Sequence, residues 1–425
     1  TGSIEDSDDS DRFDADFEKH RNVAFFQSFR THFDQIFSGL SRPKLVTCYD
    51  SDGNEHRQVV KSGDDLKQDA VMQQFFRVVN ALLTKDINVS KRSLQIRTYR
   101  VVPLTGTVGV MEFVGNTQAL MGVLKNGHRK FHPHEPAYEQ LRVKLKSSNV
   151  KRKTRLKRYD DVCKKVTPCM HSILMSKLLH PKAWYEGRLN YTHSAAVTSM
   201  TGYVVGLGDR HLGNILLDSA TSELVHIDFG VAFEQGLFLP VPEGVPFRLT
   251  RDIVHGMGQS GTEGVFRRCC EETLRVLRSN SGPLLTVLEV LLHDPLYKWK
   301  KSPIEMLRLQ QEKVDQEIGS KKGANNSGGA SDPFAQSDDA DDDDMENDEN
   351  EEELDGSVVG PSVVDVATFN VDAQRTLLRI RQKLQGFEDP NGEALSVEGQ
   401  VKVLVNQARA KDKNGMMYEG WSAWW

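Results

Sequence analysis

At 425 residues the chain is long enough to bury one or two cores, and its 38% hydrophobic and 27% charged content fits a soluble globular protein with unfolded parts. The net charge of −6 is unevenly spread: residues 338–355 hold thirteen acids and no Lys or Arg, and residues 1–18 hold eight acids and one Arg. The basic remainder suits an anionic ligand such as a nucleotide, and no apolar run approaches the roughly 18 residues of a membrane span.

The five cysteines, Cys48, Cys163, Cys169, Cys269 and Cys270, lack regular spacing. They argue for reduced thiols inside a cell rather than a disulfide or zinc framework. No secretory signal follows Thr1.

In chain order, residues 1–37 read as an acidic tail and a flanking helical segment, with Phe25, Phe26, Phe29, Phe33 and Phe37 at helix-like spacing. Residues 38–115 read as a small sheet-rich unit. Lys44–Tyr49 and His56–Lys61 flank the hairpin turn signal Ser51-Asp52-Gly53-Asn54. A helical run from Leu66 to Leu83 follows, then strand-like runs Leu94–Val102 and Gly109–Val114. The apolar strand ending at Lys61 aims an ammonium where a phosphate would lie, with Asp64 and Asp69 downstream as acidic partners. Ser38–Pro43 sits where a phosphate-covering loop belongs, though without G-x-G-x-x-G spacing.

Residues 116–300 read as mainly helical. Residues 142–158 hold nine Lys or Arg and no acid, and read as a solvated basic face. Trp184, Tyr185, Leu189, Tyr191, Ala195, Ala196 and Met200 are expected to fill a helical core, and Cys163, Cys169 and His171 to be packing residues. Residues 301–394 contain a helix-compatible stretch at 303–318, a low-complexity acidic insert at about 319–365, and a helix that Asn370 would cap, running to about Gln385. Residues 395–425 form a last small unit whose aromatic end, Tyr418, Trp421, Trp424 and Trp425, is expected to dock on the main body.

The chemistry is concentrated in Gly206-Leu-Gly-Asp-Arg-His-Leu-Gly-Asn-Ile-Leu-Leu217 and His226-Ile-Asp-Phe-Gly230. Asn214 follows Asp209 by five positions and Asp228 follows it by nineteen. Phosphoryl transfer from a nucleotide uses such a set: an aspartate at the attacking hydroxyl, an asparagine on one metal ion, and a D-F-G aspartate on the metal that bridges the phosphates. The loop reads Asp-Arg-His, the reverse of the usual His-Arg-Asp.

These motifs, the second continued to Gly236, with Lys61-Ser-Gly-Asp-Asp-Leu-Lys-Gln-Asp-Ala-Val-Met-Gln-Gln74, Val245–Ile253, Gly264–Glu271 and Leu395–Trp425, resemble the phosphatidylinositol 3-kinase-related protein kinases. The likeness runs from about residue 22 onward, apart from the acidic insert. It implies an α+β fold of two lobes, a small antiparallel-sheet lobe and a larger helical one, ending in a FATC domain over 395–425. By that resemblance, Lys61 contacts the ATP phosphates and Asp69, with Asp64 beside it, stands in for the acidic partner of the lysine. Glu112, Phe113 and Val114 form the hinge for adenine, and Val59, Tyr99, Leu216 and Ile227 line its pocket. Asn214 and Asp228 ligate Mg²⁺ (or Mn²⁺), Asp209 orients and deprotonates the substrate hydroxyl, and His211 stabilises the transferring group. Phe229 stands where relatives can have Leu.

The same Asp-Arg-His loop serves lipid kinases, which need basic residues after the D-F-G to hold inositol phosphates. Residues 231–250 contain one base, Arg248, with Glu234 and Glu243 and an apolar run Leu237–Val241. That favours a protein substrate over a lipid. A non-catalytic pseudokinase is disfavoured because Lys61, Asp209, Asn214 and Asp228 are all present. The resemblance further implies Ser or Thr followed by Gln as the phosphorylated site, DNA double-strand-break signalling and checkpoint control in the nucleus, homodimerisation, and recruitment by a break-sensing complex through a region N-terminal to this one.

Overall fold

The computed structural model of the protein describes residues 24–35, 43–63, 66–146, 151–292, 363–389 and 392–425. The N-terminal lobe is built on an antiparallel sheet. Its strands are β1 (Phe26–Phe29), β2 (Asp34–Gln35), β3 (Lys44–Asp50), β4 (Glu55–Ser62), β5 (Val101–Pro103) and β6 (Val108–Glu112). The order is β1-β3-β4-β6-β5, with β2 also paired to β3. The β3–β4 turn forms as the sequence signals: Asp50 Oδ1 accepts the amides of Asp52 at 3.0 Å and Asn54 at 2.8 Å, and Gly53 takes φ +80°.

Helix α1 (Lys67–Lys85), followed by the short α2 (Ile87–Ser90), packs under the sheet because Met72, Phe75, Phe76, Val79 and Leu83 recur on one face and are all buried. The expected strand over Leu94–Val102 forms only from Val101. Leu94 and Ile96 are buried and Gln95 is exposed, so the alternation is real. The backbone bonds, however, go to α1 side chains. Asn80 pairs with both the amide and the carbonyl of Ile96, each at 2.8 Å, and Gln73 Oε1 accepts the Tyr99 amide at 3.0 Å. Side-chain amides replace a neighbouring strand here.

The helical reading of the N-terminal phenylalanines is also corrected. Phe26–Phe29 is an edge strand bonded to β3, with a register shift between Phe26 and Ser28. Phe25, Phe26, Phe29 and Phe33 are exposed. Sheet pairing overrides a spacing that only mimics a helix.

The C-terminal lobe opens with β7 (Thr117–Ala119), which pairs with β8 (Ile215–Asp218); β8 pairs in turn with β9 (Leu224–His226). Its helices are α3 (Leu120–Phe131), α4 (Tyr138–Leu145), α5 (Arg152–Lys165), α6 (Met170–Lys177), α7 (Pro181–Val204), α8 (Arg251–Gly256), α9 (Val265–Ser279) and α10 (Ser281–Leu292). From Tyr191 to Val204 nearly every residue of α7 is buried, so α7 is the central helix of the lobe. Tyr191, Ala195, Ala196 and Met200 join the core as expected, but Tyr185 lies on the outer face and is exposed. Cys269 and Cys270 are buried free thiols.

Helix α11 (Val363–Gln385) begins before Asn370, so Asn370 lies within the helix and does not cap it. Then α12 (Val397–Arg409) starts at Ser396, whose hydroxyl caps the Gly399 amide at 3.1 Å. After α13 (Lys411–Asn414) the chain ends inside the lobe: Trp421, Trp424 and Trp425 are all buried. Arginines satisfy the carbonyls buried with them. Arg155 Nε donates to Gly415 O at 3.0 Å, and its Nη2 donates to Met417 O. Thus the basic run 142–158 is solvated only in part. No described helix is long and apolar enough to cross a membrane. The helix-compatible stretch at 303–318, residues 38–42 and the insert up to residue 362 lie outside the described residues.

Candidate active site

The β8–β9 hairpin sets the geometry. Ile215 pairs with His226, so Asn214 and Ile227 leave the hairpin side by side, and the Ile227 amide donates to Asn214 O at 3.1 Å. Asp228 is therefore delivered next to the loop that carries Asp209. Asn214 Nδ2 donates to the Asp209 carbonyl at 3.0 Å. That bond commits the amide nitrogen and leaves the amide oxygen as the atom of Asn214 that could hold a metal ion.

Asp209 and Asp228 sit at φ +60° and +59°. Asp tolerates the left-handed region better than most residues, yet the conformation still has a cost and must be held from outside. The buried Arg210 does this. Its Nε donates to Gly208 O at 2.7 Å, its Nη1 to Ile227 O at 2.9 Å, and its Nη2 to Asp228 O. Glu243 Oε2 accepts the Asp209 amide at 2.7 Å. From the N-terminal lobe, Gln68 Nε2 donates to Phe229 O at 2.5 Å and Asp69 Oδ1 accepts the Phe229 amide at 3.2 Å. Asp69 thus clamps the residue that follows Asp228.

His211 is half-buried, and its Nδ1 accepts the Gly213 amide at 3.0 Å. An accepting Nδ1 places the ring proton on Nε2, which is then a donor. A side chain at Gly213 would meet the ring, with a Cβ only 2.7 Å from Cε1. Gly206, at φ +60°, is equally constrained, since a Cβ there would lie 2.5 Å from the Glu234 amide nitrogen.

Val59 and Lys61 lie on one face of β4, opposite Met111 and Gly109 of β6, and both are half-buried. Asp64 lies outside the described residues. Tyr99 is buried and stacks on Phe229 with centroids 6.4 Å apart. Burial, with the Asp69 and Asp228 carboxylates nearby, holds its phenol well above the usual range. Leu216 and Ile227 are half-buried on the hairpin.

Glu112 ends β6, and Phe113 and Val114 follow it, where the lobes join. The Glu112 amide bonds Arg100 O at 2.8 Å, and the Phe113 amide bonds Arg57 O at 3.0 Å. One face of the Phe113 ring carries the Arg57 guanidinium at 4.3 Å. Glu112 and Phe113 also border a groove of about 1260 Å³ on the sheet face that bears Gln58 and Val110.

A smaller cavity of about 200 Å³ opens between Gly208, the 231–250 loop and α11, lined by Gly236, Leu237, Glu243, Pro246 and Lys383. On the loop, Leu237 and Phe238 are exposed. The loop's one base, Arg248, is buried and bonds the carbonyls of Trp421 at 2.5 Å and Ser422 at 3.0 Å. Elsewhere, His128, Cys169 and Asp252 bring ligand atoms within 4.8 Å of one another. The Asp252 oxygens are already used: Oδ1 accepts the Cys169 amide at 2.7 Å and Oδ2 bonds the His128 ring at 3.2 Å.

The sequence reading missed the arginines and the glutamine that hold the site. In the sequence Arg210 stands out only as the middle of Asp-Arg-His, and nothing there marks Gln68 or Arg248 as bonded across the fold.

The fold and this arrangement define a two-lobed, kinase-like protein. The family model for phosphatidylinositol 3- and 4-kinase matches residues 56–301, and the FATC domain model matches residues 394–425. The chain belongs to the phosphatidylinositol 3- and 4-kinase family and ends in a FATC domain. It is 43% identical over 412 residues to the serine/threonine-protein kinase ATM of Arabidopsis thaliana, covering 95% of this chain and 10% of that protein. It is 42% identical over 411 residues to the serine-protein kinase ATM of Sus scrofa, covering 96% of this chain and 12% of that protein. Among solved structures, the FAT and kinase domain of CtTel1 matches with a TM-score of 0.76 at 37% identity, over 95% of this chain and 24% of that one. The chain spans about a tenth of the length of these curated relatives.

Proposed function

We propose that this chain is the catalytic region of an ATP-dependent serine/threonine protein kinase. The observation that carries the reading is the hairpin that sets Asn214 beside Ile227 and delivers Asp228 next to the Asp209 loop. A carboxylate and an amide oxygen form a hard oxygen donor set, which fits Mg²⁺ or Mn²⁺. The ion, when bound, neutralises charge on the nucleotide phosphates.

The chain's own residues do the rest. Asp209 accepts the proton of the substrate hydroxyl as its oxygen bonds the γ-phosphorus. The bond from that phosphorus to the β,γ-bridging oxygen breaks, and ADP leaves. Lys61 contacts the phosphates and Asp69 orders its surroundings. His211 Nε2–H donates to the transferring group. Adenine sits between Val59, Tyr99, Leu216 and Ile227, against the hinge Glu112–Val114. Catalysis is positioning and charge stabilisation.

The 231–250 loop supports a protein substrate. Its exposed groups are apolar, and Arg248 faces the C-terminal segment rather than solvent. An inositol phosphate would find no base on it. The preference for Gln after the phosphorylated residue, DNA-damage signalling, the nucleus and a break-sensing partner rest on likeness to ATM and Tel1. A homodimer of the longer protein rests on the CtTel1 structure described as a dimer with C2 symmetry.

The test is a radiolabelled-ATP assay on a Ser-Gln peptide, a Ser-Ala peptide and phosphatidylinositol vesicles. Label on the Ser-Gln peptide alone is expected. Label on the vesicles alone would overturn the protein-kinase reading.

A further inference from the structure

Two buried guanidinium groups lie in series behind the candidate site. Arg210 binds the carbonyls of Gly208, Ile227 and Asp228, the residues on either side of the phosphoryl-transfer cluster. Arg248 Nη1 reaches the Arg210 carbonyl at 3.4 Å and the Trp421 carbonyl at 2.5 Å, its Nη2 reaches Ser422 O at 3.0 Å, and its plane lies over the Trp421 ring at 4.2 Å. The carbonyls before and after Asp209 are therefore held by different arginines, and one of those arginines is seated by the C-terminal segment.

The backbone on both sides of this link is strained. Asp209, Asp228 and Ser422 are non-glycine residues with φ of +60°, +59° and +56°. Such conformations persist only where the surroundings over-determine them, and here each is flanked by a carbonyl bound to Arg210 or Arg248. Burial pulls the Arg248 guanidinium down to about 9, the nearby Glu243 opposing it. Its acceptors among the described residues are carbonyls. A buried cation bonded to carbonyls is costly as mere filling.

We propose that Arg248 is a positioning residue that makes the geometry of Asp209 and Asp228 depend on the seating of Trp421 and Ser422. The proposal rests on the kinase reading above. The planar fork matters because its two nitrogens reach three carbonyls on two segments while its plane stacks on the Trp421 ring. Lysine keeps the charge and the stem but presents a single nitrogen.

The test compares the full chain with Arg248→Lys and Arg248→Met. Three quantities are read: Mn²⁺-ATP affinity by electron paramagnetic resonance, the kcat and peptide KM of phosphate transfer, and amide exchange across residues 206–214. Both variants should weaken Mn²⁺-ATP binding and lower kcat by about tenfold or more, the usual effect of losing a group that orients metal ligands. Peptide KM should stay within about twofold, exchange at 206–214 should quicken, and Arg248→Lys should not rescue.

If Arg248→Met lowers the melting temperature, Arg248→Lys decides. Full rescue by Arg248→Lys, or wild-type metal affinity and kcat in either folded variant, overturns the positioning role while leaving the kinase reading intact. A wild-type chain that neither binds Mn²⁺-ATP nor transfers phosphate overturns both.

Discussion

Lys383 Nζ lies 2.8 Å from Glu234 Oε1 and 2.9 Å from the Tyr203 carbonyl. The lysine is buried on α11, and the glutamate lies early in the 231–250 loop at φ +62°. Burial penalises the Lys383 ammonium, and Glu234 opposes that penalty; the same contact holds the Glu234 carboxyl below its usual range despite its own burial. Breaking a buried pair leaves an uncompensated charge, a loss of about 3–5 kcal/mol. Glu234→Gln, which takes the nearest counter-charge from the buried Lys383, should therefore lower the unfolding free energy by about that much, and Lys383→Ala should cost less because the partly exposed Glu234 keeps Arg379 at 3.5 Å. Equal urea-derived unfolding free energies for wild type and Glu234→Gln would show that the pair is idle.

Asp228→Asn isolates the carboxylate proposed to hold the metal ion from the fold. Asparagine tolerates the left-handed region that Asp228 occupies, whereas alanine would add strain. Its side-chain oxygen still accepts the Gly230 amide, which lies 3.3 Å from Asp228 Oδ1. Phosphate transfer should fall by about 10³-fold or more with the melting temperature unchanged. Near-wild-type transfer by a folded Asp228→Asn would remove Asp228 from the mechanism.

Much of this site is legible in the sequence because its spacing is set locally. Five residues from Asp209 to Asn214 span a single loop, and a short hairpin fixes Asp228. The supporting groups are not legible, because they act across large sequence separations. Arg248 meets Ser422 across 174 positions of the C-terminal lobe, and Gln68 meets Phe229 across 161 positions from one lobe to the other. The same limit explains the corrected elements. Leu94–Tyr99 has strand alternation, but Asn80 and Gln73 take its backbone bonds. The N-terminal phenylalanines have helical spacing, but β3 offers an open edge. Patterning records burial; it does not record which partner supplies the hydrogen bonds.

His128 gives the C-terminal anchor a pH dependence. Its ring stacks on Trp425 with centroids 5.0 Å apart, bonding Glu135 at 2.9 Å through Nδ1 and Asp252 at 3.2 Å through Nε2. Burial alone would lower its pKa, but the two carboxylates outweigh it and raise the value above 6.5. A raised folded-state pKa means that the charged ring stabilises the fold fully below about 6.5, and that this contribution is lost as pH rises through the folded value. Urea unfolding from about pH 6 to about pH 9 should show the loss in wild type, and His128→Gln should remove that part of the slope. A variant with the wild-type profile would assign the slope to other groups.

Gly213→Ala tests the role given to His211 without touching a reacting group. The added Cβ would lie 2.7 Å from His211 Cε1 and 2.9 Å from Nδ1, so the ring must move. It moves from a position fixed by the Gly213 amide at 3.0 Å, and Nε2 moves with it. A displacement of about 1 Å in a group that meets the transition state costs on the order of 10²-fold in rate. Because Nε2 is assigned to the transferring phosphoryl group, the loss should fall on kcat, with the KM for ATP and for peptide nearly unchanged. His211→Ala should lower kcat to a similar level, and the double variant no further, since both changes remove one interaction. Additive losses in the double variant would mean that Gly213 acts through the neighbouring Asn214 instead.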